Sequence, residues 1–264
     1  MPLLERYEHG TPCWVDLATT DLDSAKKFYS GLLGWSYIDE QMGEMDIGTY
    51  AMAMVNDVAT AAIYELGPDQ IHAPTKPSWN VYVSVDDINV TLGKVRQRGD
   101  VVLAEATDVD REGRVAVIED SIGCQTNLWE PGEFQGSLIR AEPGALTWTE
   151  HVSTDLERSR CFYEDVLGVD TVTAPQGNLN EYTMWVVDDI PVAGMFQWPD
   201  EMIADGVPSM WFVYFQVTDL DRAVGYVEAN GGRAMAETPE VNAVGRIIVL
   251  RDPQGADFCV VEPH

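Results

Sequence analysis

The chain has 264 residues, 45% of them hydrophobic and 23% charged, a globular composition long enough for two domains and unlike that of a disordered polymer. Its 44 Asp and Glu against 16 Lys and Arg give a formal net charge of -28, which argues against nucleic-acid and anionic-membrane partners and favours solubility or a cationic ligand. Four separated cysteines, Cys13, Cys124, Cys161 and Cys259, form no CxxC pair, and Met1 to Arg6 has no apolar signal core, so a cytoplasmic protein with reduced thiols is expected.

A β-rich run from Trp14 to Ala18 leads through Asp21-Leu22-Asp23 into a predicted helix over 23–33, followed by strands over 35–40, 47–56 and 58–66. A second run, Trp79 to Val85, leads through Asp86-Asp87-Ile88 into a helix over 87–98 that Gly99 stops, then strands over 101–106, 112–119 and 125–130. The Asp residues suit N-caps, because a carboxylate there binds the free amides of the first helical turn. Gly43, Gly48 and Gly113 read as turn residues, and the sequence holds no P-loop, dinucleotide fingerprint or Ser-His-Asp spacing.

The whole pattern then returns. Thr19-Thr20-Asp21-Leu22-Asp23 through Phe28-Tyr29 to Leu33-Gly34 recurs as Ser153-Thr154-Asp155-Leu156-Glu157 through Phe162-Tyr163 to Leu167-Gly168, at an offset of 134. Later anchors recur at an offset of 132, among them Tyr50 and Tyr182, Trp79 and Trp211, Asp120 and Asp252, and Glu130 and Glu262. Pro131 to Gly136 and Glu142-Pro143-Gly144 punctuate the join, giving halves at 1–132 and 143–264 with a linker at 133–142. Each half reads β-α-β-β-β twice, so four modules of an α+β class are expected.

The stretch Asp-Leu-Asp-x-Ala-x-x-Phe-Tyr-x-x-Leu-Leu-Gly-Trp at 21–35, with Trp-x-Val-Tyr-Val-x-Val-Asp-Asp at 79–87 and Glu-Asp-x-x-Gly at 119–123, resembles the vicinal oxygen chelate superfamily. That superfamily holds glyoxalase I, extradiol dioxygenases and fosfomycin- and bleomycin-resistance proteins, and the likeness is closest to tandem two-domain actinobacterial members. The resemblance implies that the four βαβββ modules pair into two tandem glyoxalase-like cup-shaped sheets with the ligand on the concave face. Its fold hosts many chemistries, so function must be argued from the site.

The resemblance also implies a divalent metal held by His, Gln or Glu at four cup positions. In this sequence they fall at Trp14, near Glu65, at Asn80 and at Asn127, and in the second half at Trp148, near Gln197, at Phe212 and at Cys259. Indole and phenyl rings do not coordinate such an ion, so no metal and no cofactor are expected there. His9, His72, His151 and His264 stand off these positions, although a one-residue slip would turn His151 into the second cup. Cys259 is expected to be an inert buried thiol.

Period-2 alternation sends Trp79, Val81, Val83 and Val85 to the helix-covered face and Asn80, Tyr82 and Ser84 into the cup. The first lining is Trp14, Asp16, Tyr50, Met52, Met54, Ile63, Glu65, Asn80, Tyr82, Ser84, Asn127 and Trp129; the second is Trp148, Glu150, Tyr182, Met184, Val186, Met195, Gln197, Phe212, Tyr214, Gln216, Cys259 and Val261. Such walls suit a hydrophobic aromatic small molecule, with Asp16 and Glu65 together, or Glu150 alone, as the partner of a cationic group, and Asp16 or Glu150 as a general base. The expected function is metal-free sequestration or carriage of an antibiotic or natural product, in resistance or as an accessory to biosynthesis. The alternatives are a glyoxalase-like lyase or isomerase, a hydroxylase or oxygenase acting in a cup, and closed cores with no ligand. Monomer and homodimer are both open.

Overall fold

The computed structural model describes residues 4–41, 48–67, 76–176, 179–237 and 244–264. The first half runs β1 (Pro12–Thr19), α1 (Leu22–Leu33), β2 (Ser36–Gln41), β3 (Thr49–Val55), β4 (Val58–Glu65), β5 (Ser78–Ser84), α2 (Ile88–Arg98), β6 (Val101–Val109), β7 (Gly113–Glu119) and β8 (Gln125–Pro131). The second runs β9 (Leu146–Ser153), α3 (Leu156–Leu167), β10 (Asp170–Gln176), β11 (Leu179–Val187), β12 (Ile190–Gln197), α4 (Asp200–Ala204), β13 (Met210–Gln216), α5 (Leu220–Ala229), β14 (Arg233–Glu237), β15 (Arg246–Arg251) and β16 (Asp257–Glu262). The α+β class and the twofold β-α-β-β-β order hold in both halves. The expected N-caps form: Asp21 accepts the Ser24 amide at 2.9 Å, and Asp87 accepts those of Asn89 at 2.9 Å and Val90 at 3.0 Å. Among the described residues no helix is long and apolar enough to cross a membrane.

Each half forms one eight-stranded sheet, ordered β2-β3-β4-β1-β5-β8-β7-β6 and, in the repeat, β10-β11-β12-β9-β13-β16-β15-β14. The first strands of the two modules therefore lie side by side at the centre. β1 pairs antiparallel with β5, bringing Trp14 opposite Tyr82 and Asp16 opposite Asn80. The matching pair β9 and β13 brings Trp148 opposite Tyr214 and Glu150 opposite Phe212.

Alternation along these strands separates two faces. Val15, Leu17, Trp79, Val81 and Val83 join the helices in a core cluster that runs through both halves. Trp35 sits edge-on to Phe215 at 5.1 Å and donates its indole N–H to the Gly144 carbonyl at 2.7 Å. Trp211 of the second half donates to Thr126 of the first at 2.9 Å. The helix-bearing faces are thus packed against each other, and the two concave faces, with separate clusters around Trp14 and Phe212, lie on opposite outer sides.

The segment 133–142 does not hang free. The Ser137 amide donates to the Cys13 carbonyl at 2.8 Å, and Gly136, at φ 99°, lies so close that a Cβ would stand 2.4 Å from that oxygen. Only glycine fits this crossing. Just before this crossing, Phe134 lies edge-on against Trp14, with 4.9 Å between ring centroids.

One expectation about the lining is corrected in both halves. The two-residue turns Asn56-Asp57 and Asp188-Asp189, at φ 50°, 62°, 49° and 64°, join hairpins whose simple register would set Tyr50 opposite Ile63. A bulge at Thr60 inserts one residue, so Tyr50 pairs with Tyr64 instead, and Asp16 lies beside Ala62. Ile63 and Met195 consequently belong to the shared core. Glu65 is exposed and accepts the Leu22 amide at 3.3 Å, and Gln197 accepts the Leu156 amide at 3.3 Å, so both serve helix starts outside the cups. The concave residues here are Tyr64 and Phe196.

Candidate functional site

The floor of the first cup is a hydrogen-bonded group centred on Asp16, which is fully buried. Tyr82 donates its hydroxyl to Oδ2 at 2.6 Å, Tyr50 donates to the same oxygen at 2.9 Å, and Asn80 donates Nδ2 to Oδ1 at 2.8 Å. Trp14 in turn donates its indole N–H to the Tyr50 oxygen at 2.9 Å. Tyr64, stacked on Tyr50 with centroids 6.2 Å apart, accepts a second Asn80 N–H at 3.3 Å. Burial pushes the Asp16 carboxyl up, against the lowering pull of its three donors, Tyr82, Asn80 and Tyr50. Tyr50 and Tyr82 are themselves held well above the usual phenol range, by burial first and the neighbouring Asp16 second.

The second cup repeats this group with its own substitutions. Tyr182 donates to Glu150 Oε1 at 2.5 Å, Tyr214 donates to Oε2, and Trp148 donates to the Tyr182 oxygen at 3.1 Å. Burial raises the Glu150 carboxyl, and the Tyr182 and Tyr214 donors oppose the rise. Phe212 stands where Asn80 does, and Phe196 stands where Tyr64 does, so this floor has fewer polar groups. Trp198 packs on both phenyl rings at 6.0 and 6.1 Å. Cys259 is buried on the same face, its thiol raised by burial and by Glu150.

Glu150 is one methylene longer than Asp16, and the sheet makes room for it. Gly194 lies beside Glu150 where Ala62 lies beside Asp16. A Cβ on Gly194 would stand 1.8 Å from the Tyr182 hydroxyl and 2.9 Å from Glu150 Oε1. Gly194→Ala alone is expected to cost about 2 kcal/mol through overpacking. Adding Glu150→Asp, which copies the first cup, is expected to recover at least half of that loss in a double-mutant cycle read by urea unfolding. Strictly additive changes would show that the two residues are not matched.

Of the other residues anticipated for the first lining, Met52 and Trp129 join the Trp14 cluster, Asn127 is buried beside Tyr82 on β8, and Met54 is half-buried beyond the bulge. Met184 is half-buried on β11 of the second half. Phe134 and Trp198, which cover the two floors, were not anticipated, because each comes from a connection outside the β-α-β-β-β pattern. Trp129 donates its indole N–H to the Phe134 carbonyl at 3.0 Å, which holds that cover in place.

The described histidines stay off both floors. His9 accepts the Asp86 amide at 3.0 Å, His151 lies on the helix-covered face against Tyr163 and Trp211, and His72 falls outside the described residues. With the bulge in β4 and β12, the positions at which the resemblance implies metal ligands carry Trp14, Tyr64, Asn80 and Asn127, and Trp148, Phe196, Phe212 and Cys259. Two amides and a phenol in one cup, and a single buried thiol in the other, do not fit a catalytic divalent ion. The floors can instead accept a hydrogen bond, hold a proton on a carboxyl, and stack a flat ring.

Residues 12–128 match the family model described as the Glyoxalase/Bleomycin resistance protein/Dioxygenase superfamily, and residues 149–261 match a glyoxalase-like domain. A Mycobacterium tuberculosis protein named "Putative glyoxylase CFP32" is 37% identical over 100% of this chain and 98% of its own length. The anthracycline biosynthesis protein DnrV of Streptomyces peucetius is 30% identical over 98% of this chain and 95% of its own. Among solved structures, the Mn(II)-bound glyoxalase from Novosphingobium aromaticivorans superposes with a TM-score of 0.65 at 12% identity, over 98% of this chain and 84% of that one. The 2,3-dioxygenase LapB from Pseudomonas sp. KL28 gives 0.64 at 14% identity, over 97% and 93%. The chain is a tandem, two-domain member of the glyoxalase/bleomycin resistance protein/dioxygenase superfamily.

Proposed function

We propose that this protein binds a planar, aromatic, largely apolar small molecule on its concave faces without a cup metal, as a sequestering or accessory protein for a natural product. The observation that carries the reading is the duplicated floor: in each cup a buried carboxyl, two tyrosines and a tryptophan joined by hydrogen bonds. Indole and phenol faces offer stacking area, and the carboxyl orients one polar group of the ligand. An amine on the ligand would replace a tyrosine donor at Asp16, and the net charge of -28 would draw it in. The name of the Streptomyces peucetius relative, an anthracycline biosynthesis protein, supports a polycyclic aromatic ligand. Binding requires Phe134 or Trp198 to swing aside, since each covers a floor tryptophan or phenylalanine.

The test is a titration of the full chain with polycyclic quinones, with and without an amino group, against a small aliphatic ketoaldehyde adduct as comparison. Aromatic ligands are expected to quench tryptophan emission at micromolar concentration. Trp14→Phe and Trp148→Phe are each expected to remove the share of one cup. Emission and heat that stay unchanged across the aromatic panel would end this reading. A second reading is favoured by the raised Asp16 and Glu150 carboxyls, which suit metal-free acid–base chemistry in the cup. Turnover of the aromatic panel that disappears in Asp16→Asn would select it.

A further inference from the structure

Away from both cups, three residues capable of holding a metal meet in the seam between the halves. Asp120 closes the turn between β7 and β8; its Oδ1 accepts the amides of Ile122 at 3.0 Å and Cys124 at 2.8 Å, which leaves Oδ2 directed at His151 Nε2, 3.1 Å away on β9. One donor atom from each of Asp120, Cys124 and His151 lies within 4.8 Å of the others, and all three residues are buried. His151 is wholly buried, yet its Nδ1 has no hydrogen-bond partner. An imidazole so placed carries a desolvation cost that Asp120 alone does not offset.

The duplication supplies an internal control. Asp252 performs the same turn function in the second half, its Oδ1 accepting the amides of Gln254 at 2.9 Å, Gly255 at 2.7 Å and Ala256 at 2.9 Å. Its Oδ2 accepts the Tyr29 hydroxyl at 3.1 Å. At the places of Cys124 and His151 this copy carries Ala256 and Leu17. The fold therefore needs the aspartate at the turn but neither the thiol nor the imidazole.

We propose that Asp120, Cys124 and His151 form a site for a divalent ion of the zinc class that clamps the first half to the second. A carboxylate, a thiolate and a neutral imidazole are donors zinc accepts, and on a tetrahedral ion they stand about 3 to 4 Å apart, so a small contraction of the present group closes the shell. Charge balances: the thiol releases its proton to solvent on binding, and carboxylate plus thiolate then neutralise the two positive charges in a buried place. Ser121, next to Asp120, lines a surface cleft with Arg98 and Arg158, and Arg158 donates to the Ser121 carbonyl at 2.5 Å.

The experiment uses the full chain freed of metal with a chelator and titrated with Co2+, then with Zn2+. One equivalent of Co2+ is expected to produce a thiolate-to-cobalt absorption in the near ultraviolet together with visible bands of tetrahedral intensity. Zn2+ is expected to abolish both and to raise the Tm by several degrees. Cys124→Ala and His151→Leu, each copying the residue of the other half, are expected to lose the thiolate band and the Tm rise, while Cys161→Ser keeps them. Absence of the thiolate band in the wild type, or its persistence in both variants, overturns the proposal. X-ray absorption of the Zn2+-loaded wild type tests the same site without any variant: one sulfur neighbour at about 2.3 Å is expected, and a shell of oxygen and nitrogen alone overturns the proposal.

Discussion

Asp16→Ala is expected to lower the unfolding free energy by about 3 to 5 kcal/mol, because it leaves three donors on half-buried side chains without their acceptor, each at a cost of about 1 to 3 kcal/mol before relaxation. The donors are the Tyr50 and Tyr82 hydroxyls and the Asn80 amide, and none has another carboxylate to turn to in the floor. Glu150→Ala removes the acceptor from two donors rather than three, so its loss should be smaller by about 1 kcal/mol. Asp16→Asn keeps one acceptor oxygen and should cost about 1 kcal/mol. Urea unfolding of the three variants orders these values. Quinone titrations should show affinity at the first cup falling at least tenfold in Asp16→Ala, a loss of about 1.4 kcal/mol or more. A stability change within about 1 kcal/mol of wild type would mean that the group reorganises freely and that the floor is not a fixed site.

Most of the scaffold is legible in the sequence, and the reasons are local. Asp21 and Asp87 announce helix starts through capping chemistry, their side chains accept first-turn amides as anticipated, and Asp155 and Asp219 do the same in the repeat. Alternation places Asp16, Asn80 and Tyr82 together because β1 and β5 set them between the apolar Val15 and Leu17 and the apolar Trp79, Val81 and Val83. It fails at β4, where Thr60 to Ile63 is buried on every side chain and offers no polar and apolar contrast from which to count parity. A single bulge then reverses the faces, in β4 and again in β12, which makes Glu65 and Gln197 look like cup residues. Tyr64 could have been found from its stacking partner: a hairpin that sets Tyr50 on the floor must set some residue beside it, and an aromatic suits that place better than the neighbouring Ile63. The meeting of Asp120, Cys124 and His151 has no signal of this kind. It depends on how two separate sheets pack, and the stretch of chain between Cys124 and His151 shows no motif spacing.

The second large effect concerns pH. Burial raises the Asp16 and Glu150 carboxyls above their unfolded values, which lie near about pH 4. A folded state that holds the proton more tightly than the unfolded chain is favoured at low pH. The stability these two groups contribute is therefore fully present below about pH 4 and is lost as pH rises through their raised folded values, after which it is level. Each unit of upward shift is worth about 1.4 kcal/mol at each site. Tyr50, Tyr82, Tyr182 and Tyr214 carry the same sign into alkaline solution, since burial and the adjoining carboxyls raise them too. The surface charge of -28 adds its own pH dependence, so the clean quantity is a difference. Asp16→Asn combined with Glu150→Gln removes the two titrations and leaves the surface almost unchanged. Relative to wild type, the double variant should gain stability steadily from about pH 4 upward and then reach a plateau, as measured by urea midpoints across about pH 4 to 8. A difference that stays flat over this range would mean that the tyrosine and asparagine donors fully offset the cost of burying the charge, leaving two permanently ionised floors that would select a cationic ligand over a neutral one.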